Sequence, residues 1–462
     1  MSVEKTSSPF SGKDGFAPQG GNTRVAIATL GCKVNQYESA AMAESLENRG
    51  LSPAATFAEA DYIIINTCTV TGRTDYQSRQ LIRRAQKANP RAAVIVTGCY
   101  AQTSPQILAG MPGVASVVGN EEKTRIAELI VSLQEGRDGG ENSAGACPGQ
   151  GMAKSGSLSE EIPFVSRFPG HTRAFLKIQD GCNAFCSYCI VPYARGRSRS
   201  LEPEEVLARL ARLARRGYRE VVLTGIHLGA YGKDRTDGTT LAGILRHVEA
   251  HRTVDRLRLS SLEPGDIDEE LLAVMGAARV VCPHLHIPLQ SGDDGILTRM
   301  GRKYDRTAFR ELVARVRSLR PDMTIGLDVM TGFPGEDEKA FENTLELVAS
   351  MPVAYLHVFP YSRRPGTAAA AMNGQVREED KKRRALALRQ LGAEKRRGFL
   401  ERFIGATLPV LIEGRKDRLK GFSHNYLPVV LRNDEGATVN TIVPVRIEDR
   451  ENDVLVGSPV YE

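Results

Sequence analysis

Gly181-Cys182-Asn183-Ala184-Phe185-Cys186-Ser187-Tyr188-Cys189 places three cysteines within eight residues, spaced C-x3-C-x2-C. A strand-like run, Ala174-Phe175-Leu176-Lys177-Ile178-Gln179, leads into it. The thiols therefore sit on a loop just past a strand end, where they can converge. Soft thiolates hold iron–sulfur clusters or zinc. A closed structural zinc site takes four ligands, and no His or Cys lies close enough in sequence to be an obvious fourth. Three thiolates on a cubane cluster hold three irons and leave the fourth open to a small molecule. The spacing favours a cluster over zinc, and zinc over unrelated structural thiols.

This spacing, with an aromatic residue before the last Cys, resembles the radical S-adenosylmethionine (SAM) enzymes. The resemblance implies that the open iron chelates the amino and carboxylate groups of SAM. It also implies reductive cleavage to a 5′-deoxyadenosyl radical, and it puts Tyr188 beside the adenine.

The chain has 462 residues, enough for two to three domains with ample core. Hydrophobic residues make up 41% and charged residues 25%, ordinary for a soluble protein. The net charge of +6 permits a polyanionic partner without demanding one. No apolar stretch is long enough to span a membrane. Residues 1–23 are polar, Gly/Ser-rich and without a signal-like apolar region, and are expected to be a disordered tail. Without an export signal the eight cysteines read as metal ligands or free thiols, and the compartment as the cytoplasm.

From about Arg24 to Gln134, strands and helices alternate. Apolar runs at Val25–Gly31, Tyr62–Cys68, Ala93–Cys99 and Val114–Gly119 are separated by helical patterns. This implies a doubly wound parallel sheet with helices on both faces. The first three strands end in or just before a cysteine: Gly31-Cys32, Thr67-Cys68 and Gly98-Cys99. The carboxyl ends of parallel strands share one edge, where ligands usually bind. One such cysteine would be a small buried hydrophobe. Three at equivalent strand ends point to a second cluster.

A domain carrying Cys32, Cys68 and Cys99 ahead of a radical-SAM motif resembles the methylthiotransferases, which replace a C–H bond with C–S–CH3. Thr29-Leu30-Gly31-Cys32-Lys33-Val34-Asn35-Gln36-Tyr37-Glu38-Ser39 looks most like the branch acting on N6-threonylcarbamoyladenosine (t6A) at tRNA position 37. The branch acting on isopentenyl-adenosine typically has Gln-Met-Asn after its first Cys, and the ribosomal-protein branch Pro-Lys-Asn. Here the residues are Lys33-Val34-Asn35.

Residues 135–167 begin with a Gly/Ser-rich stretch and are expected to form a flexible linker, with Cys147 an exposed thiol inside it. From Phe168 to about residue 400, six strand candidates alternate with helices: Ala174–Gln179, Glu220–Leu228, Leu257–Leu262, His284–Gln290, Thr324–Thr331 and Tyr355–Tyr361. Six units suit a partial (β/α)6 barrel, the fold the resemblance also implies. Active sites of such barrels lie at the carboxyl ends of the strands. Gly225, Glu263, Gln290 and Asp328 stand there as candidate SAM or substrate contacts, with turn chemistry or helix capping as their plainer role. Cys282 precedes its strand, at the opposite mouth, and reads as structural. Arg195, Arg197 and Arg199 follow the cysteine loop and either meet RNA phosphates or form a solvated basic loop.

Arg377–Phe399 is a charged helical pattern with nine Lys/Arg against four Asp/Glu, a solvated face or one that tracks a nucleic-acid backbone. Residues 401–462 change to short strands: Thr407–Glu413, Leu427–Leu431, Thr441–Ile447 and Val454–Val456. They suggest a small C-terminal β-barrel. Position and pattern resemble the TRAM domain, an RNA-binding module. Charge does not support that role by itself, with eight Lys/Arg against ten Asp/Glu. Arg415-Lys416-Asp417-Arg418-Leu419-Lys420 is locally basic.

The resemblance covers residues 24 to 462 without the linker. It implies a tRNA methylthiotransferase with two [4Fe-4S] clusters: Cys182, Cys186 and Cys189 hold the SAM cluster, and Cys32, Cys68 and Cys99 the auxiliary one. One SAM methylates sulfur at the auxiliary cluster, and a second yields the radical that takes hydrogen from C2 of the adenosine. The partners implied are the tRNA anticodon stem-loop at adenosine 37, an electron donor such as a flavodoxin or ferredoxin, and a sulfur donor. The alternatives are the same chemistry on isopentenyl-adenosine or a ribosomal protein, and a non-catalytic RNA-binding iron–sulfur sensor.

Overall fold

The computed structural model describes residues 23–138 and 162–461, apart from 416, 434 and 435. Residues 1–22, Cys147 and most of the expected linker lie outside the described residues. The rest falls into two compact units. The first holds the chain to Gly170 with Asp180–Asn183 and Cys189–Leu201. The second holds His171–Gln179, Ala184–Tyr188 and the chain from Glu202.

In the first unit, strands β1 (Arg24–Thr29), β2 (Ser52–Pro53), β3 (Tyr62–Thr67), β4 (Ala93–Gly98) and β5 (Val114–Val117) form a parallel sheet in the order β2-β1-β3-β4-β5. Ile63, Ile65, Val94 and Val96 pack on one face, against Leu81 and Ile82 of the helix Gly72–Ala88. Ile64 and Ile95 pack on the other, against Met42 and Leu46 of the helix Lys33–Glu47 and Ile126 and Ile130 of the helix Ile126–Asp138. Burial on both faces is why these strands read as unbroken apolar runs. The last helix continues four residues beyond Gln134, into the stretch expected as linker.

The second unit contains strands β6 (Arg173–Lys177), β9 (Glu220–Thr224), β10 (Arg256–Leu259), β11 (His284–Gln290), β12 (Thr324–Thr331) and β13 (Tyr355–Pro360). The two-residue strands β7 (Gln179–Asp180) and β8 (Arg199–Ser200) fall between β6 and β9 in sequence. Two parallel ladders, β6-β9-β10 and β11-β12-β13, make the six strands of a partial barrel. The Leu262 N–H donates to the His286 carbonyl at 3.0 Å and joins them. All seven residues of β11 are buried, and apolar Leu285, Ile287 and Leu289 alternate with His284, His286, Pro288 and Gln290, so that the strand presents two chemically different faces.

A closed five-stranded barrel follows, ordered β14-β15-β16-β18-β17. Its strands are β14 (Thr407–Arg415), β15 (Leu419–Ser423), β16 (Pro428–Leu431), β17 (Ile442–Glu451) and β18 (Val454–Pro459). It sits at the amino ends of β6, β9 and β10 through a buried ionic cluster. Arg258 donates to Glu220 from Nε at 2.6 Å and from Nη2 at 3.0 Å, Arg173 pairs with Glu413, and Arg256 donates to the Pro409 carbonyl at 2.7 Å. Strand β15 begins at the end of the run read as a basic patch, and Arg418, just before it, is paired with Glu451.

The charged helix runs from Glu378 to Glu401. It is not a bare basic face. Arg383 and Arg384 pair with Glu338, Arg384 also reaches Glu336, and Lys395 donates to the carbonyls of Ala349 and Met351.

Candidate metal centres

The first unit gathers Cys32, Cys68 and Cys99 by topology. The sheet reverses its order at β1 and β3, and the crevice outside such a switch point is where open α/β sheets bind ligands. Cys32 follows β1 as the N-cap of the helix Lys33–Glu47, Cys68 directly follows β3, and Cys99 begins the short helix after β4. Two glycines permit the approach. Gly31 has φ +109°, and a Cβ there would lie 3.0 Å from the Cys68 Sγ. Gly98 has φ +100°, and a Cβ there would lie 2.3 Å from the Thr67 carbonyl oxygen. Glycine alone adopts these angles freely and leaves that space. Burial, reinforced by the charges of Cys32 and Cys99, pushes the Cys68 thiol up to about 12. A metal supplies positive charge that favours thiolate over thiol. This donor set fits an iron–sulfur cluster.

Arg195 corrects the sequence reading. Both sequence readings, an RNA contact and a solvated basic loop, place it at the surface, yet it is 4% exposed. Its Nε donates to the Cys99 Sγ at 3.2 Å and its Nη2 to Asn35 Oδ1 at 2.6 Å. Its fork grips Glu38, whose carboxylate also takes the buried Lys123 ammonium. Burial lowers the Lys123 pKa, with the Glu38 carboxylate opposing. Arg197 is exposed, and Arg199 is half-buried. Lys123, Glu38 and Asn35 were not singled out as a group, because their meeting depends on the fold.

The C-x3-C-x2-C loop is fixed by its backbone. A Cβ on Gly181, at φ +72°, would lie 1.9 Å from the Arg197 carbonyl oxygen. The Cys182 N–H donates to the Gly196 carbonyl at 3.0 Å. In the second unit the Ser187 N–H donates to the Met300 carbonyl at 2.9 Å, and Phe185 holds a left-handed φ of +46°. The Cys186 Sγ accepts from Arg302 Nη1 at 3.3 Å, and the same guanidinium pairs with Glu263. Tyr188 packs edge-on to Phe333, with ring centroids 6.4 Å apart.

The other barrel residues divide by surroundings. Gly225 leaves room for Gln179, whose Oε1 accepts the His227 N–H at 2.8 Å. Gln290 sits at a bulge between β11 and β12 with φ +63°, and its buried Oε1 has no hydrogen-bond partner among the described residues. A buried acceptor of this kind is one that a hydrogen-bond donor from outside the chain would satisfy. Asp328 is held by His286 Nε2 at 2.9 Å and His357 Nδ1 at 3.5 Å. Burial raises its pKa, but the two histidine hydrogen bonds outweigh that and hold the carboxyl below its usual range. His286 Nδ1 lies 3.1 Å from the Tyr355 hydroxyl. These histidines were missed; His284-Leu285-His286 on one strand was the available signal. Cys282 is buried at the amino end of β11, away from these groups.

Comparison with known proteins identifies the family. The family described as "Uncharacterized protein family UPF0004" matches residues 24–119, and the Radical SAM superfamily matches residues 176–348. The threonylcarbamoyladenosine tRNA methylthiotransferase MtaB of Bacillus subtilis (strain 168) is 38% identical over 92% of this chain and 93% of its own length. That of Thermotoga maritima is 38% identical over 87% and 90%. The tRNA-2-methylthio-N(6)-dimethylallyladenosine synthase of Pelotomaculum thermopropionicum is 36% identical over 94% and 97%. Among solved structures, the radical S-adenosylmethionine methyltransferase TsrM of Kitasatospora setae superposes with a TM-score of 0.57 at 16% identity, covering 75% of this chain and 74% of that one. That likeness concerns the fold. With two cysteine sets, a partial barrel and full-length relatives in agreement, the chain belongs to the MtaB-type radical-SAM methylthiotransferases.

Proposed function

We propose that this protein converts N6-threonylcarbamoyladenosine at tRNA position 37 to its 2-methylthio derivative. Cys182, Cys186 and Cys189 hold the [4Fe-4S] cluster that binds SAM, and Cys32, Cys68 and Cys99 hold an auxiliary [4Fe-4S] cluster. The observation that carries this reading is the convergence of Cys32, Cys68 and Cys99 at the switch point, in a chain that also carries the C-x3-C-x2-C loop. The choice of base rests on Lys33-Val34-Asn35 and on the names of the MtaB relatives. Identity alone separates the two tRNA branches by little, 38% against 36%.

When bound, the clusters and SAM supply the 5′-deoxyadenosyl radical, the sulfur and the methyl group. The chain's own residues bind, orient and exclude. Glu263 holds the Arg302 guanidinium beside Cys186. Gln290 offers a buried carboxamide to SAM or base, and Tyr188 with Phe333 gives an apolar wall for the adenine. Gly225 leaves space at the end of β9. Asp328, with its two histidines, is a polar group for the hydroxyl or amide of the substituent. A pocket built for a carboxylate and a hydroxyl rejects an apolar isopentenyl group, because its own polar groups would be left unpaired.

The domain assignment follows: residues 24–134 form the auxiliary-cluster domain, 168–400 the radical-SAM core, and 401–462 a TRAM-like module for RNA. A flavodoxin or ferredoxin supplies electrons and a separate donor renews the sulfur. The setting is the cytoplasm, and among the described residues no helix is long and apolar enough to cross a membrane.

Iron and sulfide analysis tests the assignment. Anaerobically reconstituted protein should hold about eight irons, as two cubane clusters. Replacing either cysteine set by alanine should remove about half. Protein reduced in the presence of SAM should release 5′-deoxyadenosine, which a non-catalytic sensor would not do. Zinc without sulfide would refute the reading.

A further inference from the structure

Within the first unit a short bonded path joins Cys99 to Cys182. The Cys99 Sγ accepts from Arg195 Nε at 3.2 Å. The next residue, Gly196, accepts the Cys182 N–H on its carbonyl at 3.0 Å. Arg195 closes the five-residue helix Val191–Arg195, which begins two residues after Cys189. Its side chain is held from both sides: Glu38 and Asn35 stand on the helix that starts at Cys32, and the Asp180 carboxylate, 3.8 Å away, precedes the Gly181-Cys182 turn. Every group in this path belongs to the same compact unit.

A buried arginine costs desolvation unless it is paired and hydrogen-bonded. Here one guanidinium reaches a cysteine sulfur, an amide oxygen and a carboxylate at once, which the planar fork allows and an ammonium does not. Hydrogen bonds to cluster sulfurs are among the factors that set a cluster's reduction potential. A donor on the thiolate favours the more negative, reduced form.

We propose that Arg195 is the positioning residue that couples the two cysteine sets: its side chain stabilises the Cys99 thiolate at the auxiliary cluster, while the peptide after it anchors the Cys182 loop. The proposal rests on the assignment of Cys32, Cys68 and Cys99 to an auxiliary cluster. It predicts a higher auxiliary-cluster potential than the three cysteines alone would give. It also predicts that the Cys99 sulfur and the Cys182 turn stay in register through this arginine.

The test uses the full chain with Cys182, Cys186 and Cys189 replaced by Ala, so that the auxiliary cluster is read alone by redox titration and electron paramagnetic resonance. Arg195→Gln should shift its midpoint potential negative and change its line shape. Arg195→Lys, which keeps the charge but loses the fork, should give a smaller shift. In the chain with all cysteines intact, both variants should still cleave SAM, with a several-fold higher ratio of 5′-deoxyadenosine to methylthio product. Loss of auxiliary iron from either variant, with the radical cluster retained, would likewise support the role. Potentials, line shapes and product ratios all equal to the parent's would overturn it. A parent that keeps its full iron after Cys32, Cys68 and Cys99 are removed would instead overturn the cluster assignment beneath it.

Discussion

Arg302 stands against Cys186: its Nη1 lies 3.3 Å from the Cys186 Sγ, while its Nη2 is held by the Glu263 carboxylate. The strand-end glutamate singled out from sequence thus reaches the cysteine loop through a partner 39 residues further on. A charged hydrogen bond of this kind is worth ~1.5–3 kcal/mol. Arg302→Met should therefore slow SAM cleavage by about tenfold or more, measured as 5′-deoxyadenosine released per reduced cluster. Glu263→Gln, which leaves Arg302 a neutral partner, should slow it less. Unchanged cleavage in Arg302→Met would show that the contact has no part in the radical step.

Gln290 separates strain from function. Its left-handed φ of +63° costs a non-glycine residue about 1 kcal/mol. Gln290→Gly removes both the strain and the carboxamide, whereas Gln290→Ala removes the carboxamide alone. The glycine variant should melt at or above the temperature of the alanine variant, and both should lose most methylthio product. An alanine variant that is the more stable of the two, or fully active, would contradict this reading.

Cys282 gives a pH test away from the cluster ligands. Burial pushes its thiol from 9.0 up to about 11, with Arg258 and Arg256 opposing and Glu220 adding to the rise. A raised folded pKa means that its contribution to stability is fully present below about pH 9 and is lost as pH rises toward 11. One pKa unit is about 1.4 kcal/mol, so the loss is ~3 kcal/mol across that window. Urea midpoints of metal-free protein should fall between those pH values, and Cys282→Ala should flatten the fall. Parallel slopes would contradict it.

The barrel was legible because its strands are buried apolar runs between turn signals. His284–Gln290 and Thr324–Thr331 have the bounds that the sequence suggests. The meeting of Cys32, Cys68 and Cys99 was legible because equivalent strand ends of a parallel sheet share an edge. What stayed hidden involves charges buried by tertiary structure. Arg195 looks like a surface cation in sequence, and its burial depends on Glu38, Asn35 and Cys99, which arrive from far along the chain. Arg173 and Arg256 likewise tie the small barrel to the strands beside it without any local pattern. Strand β15 was not among the expected strands, because Arg418 just before it and Lys420 within it mark the run only as locally basic.

The central claim, methylthiolation of the threonylcarbamoyl base, is tested most directly by nucleoside mass spectrometry of tRNA from cells with and without the gene. The account predicts that deletion abolishes 2-methylthio-N6-threonylcarbamoyladenosine in tRNAs reading ANN codons, leaves the 2-methylthio isopentenyl nucleoside intact, and is reversed by the intact gene but not by one encoding Cys99→Ala. Loss of the isopentenyl product with the threonylcarbamoyl product unchanged would contradict it.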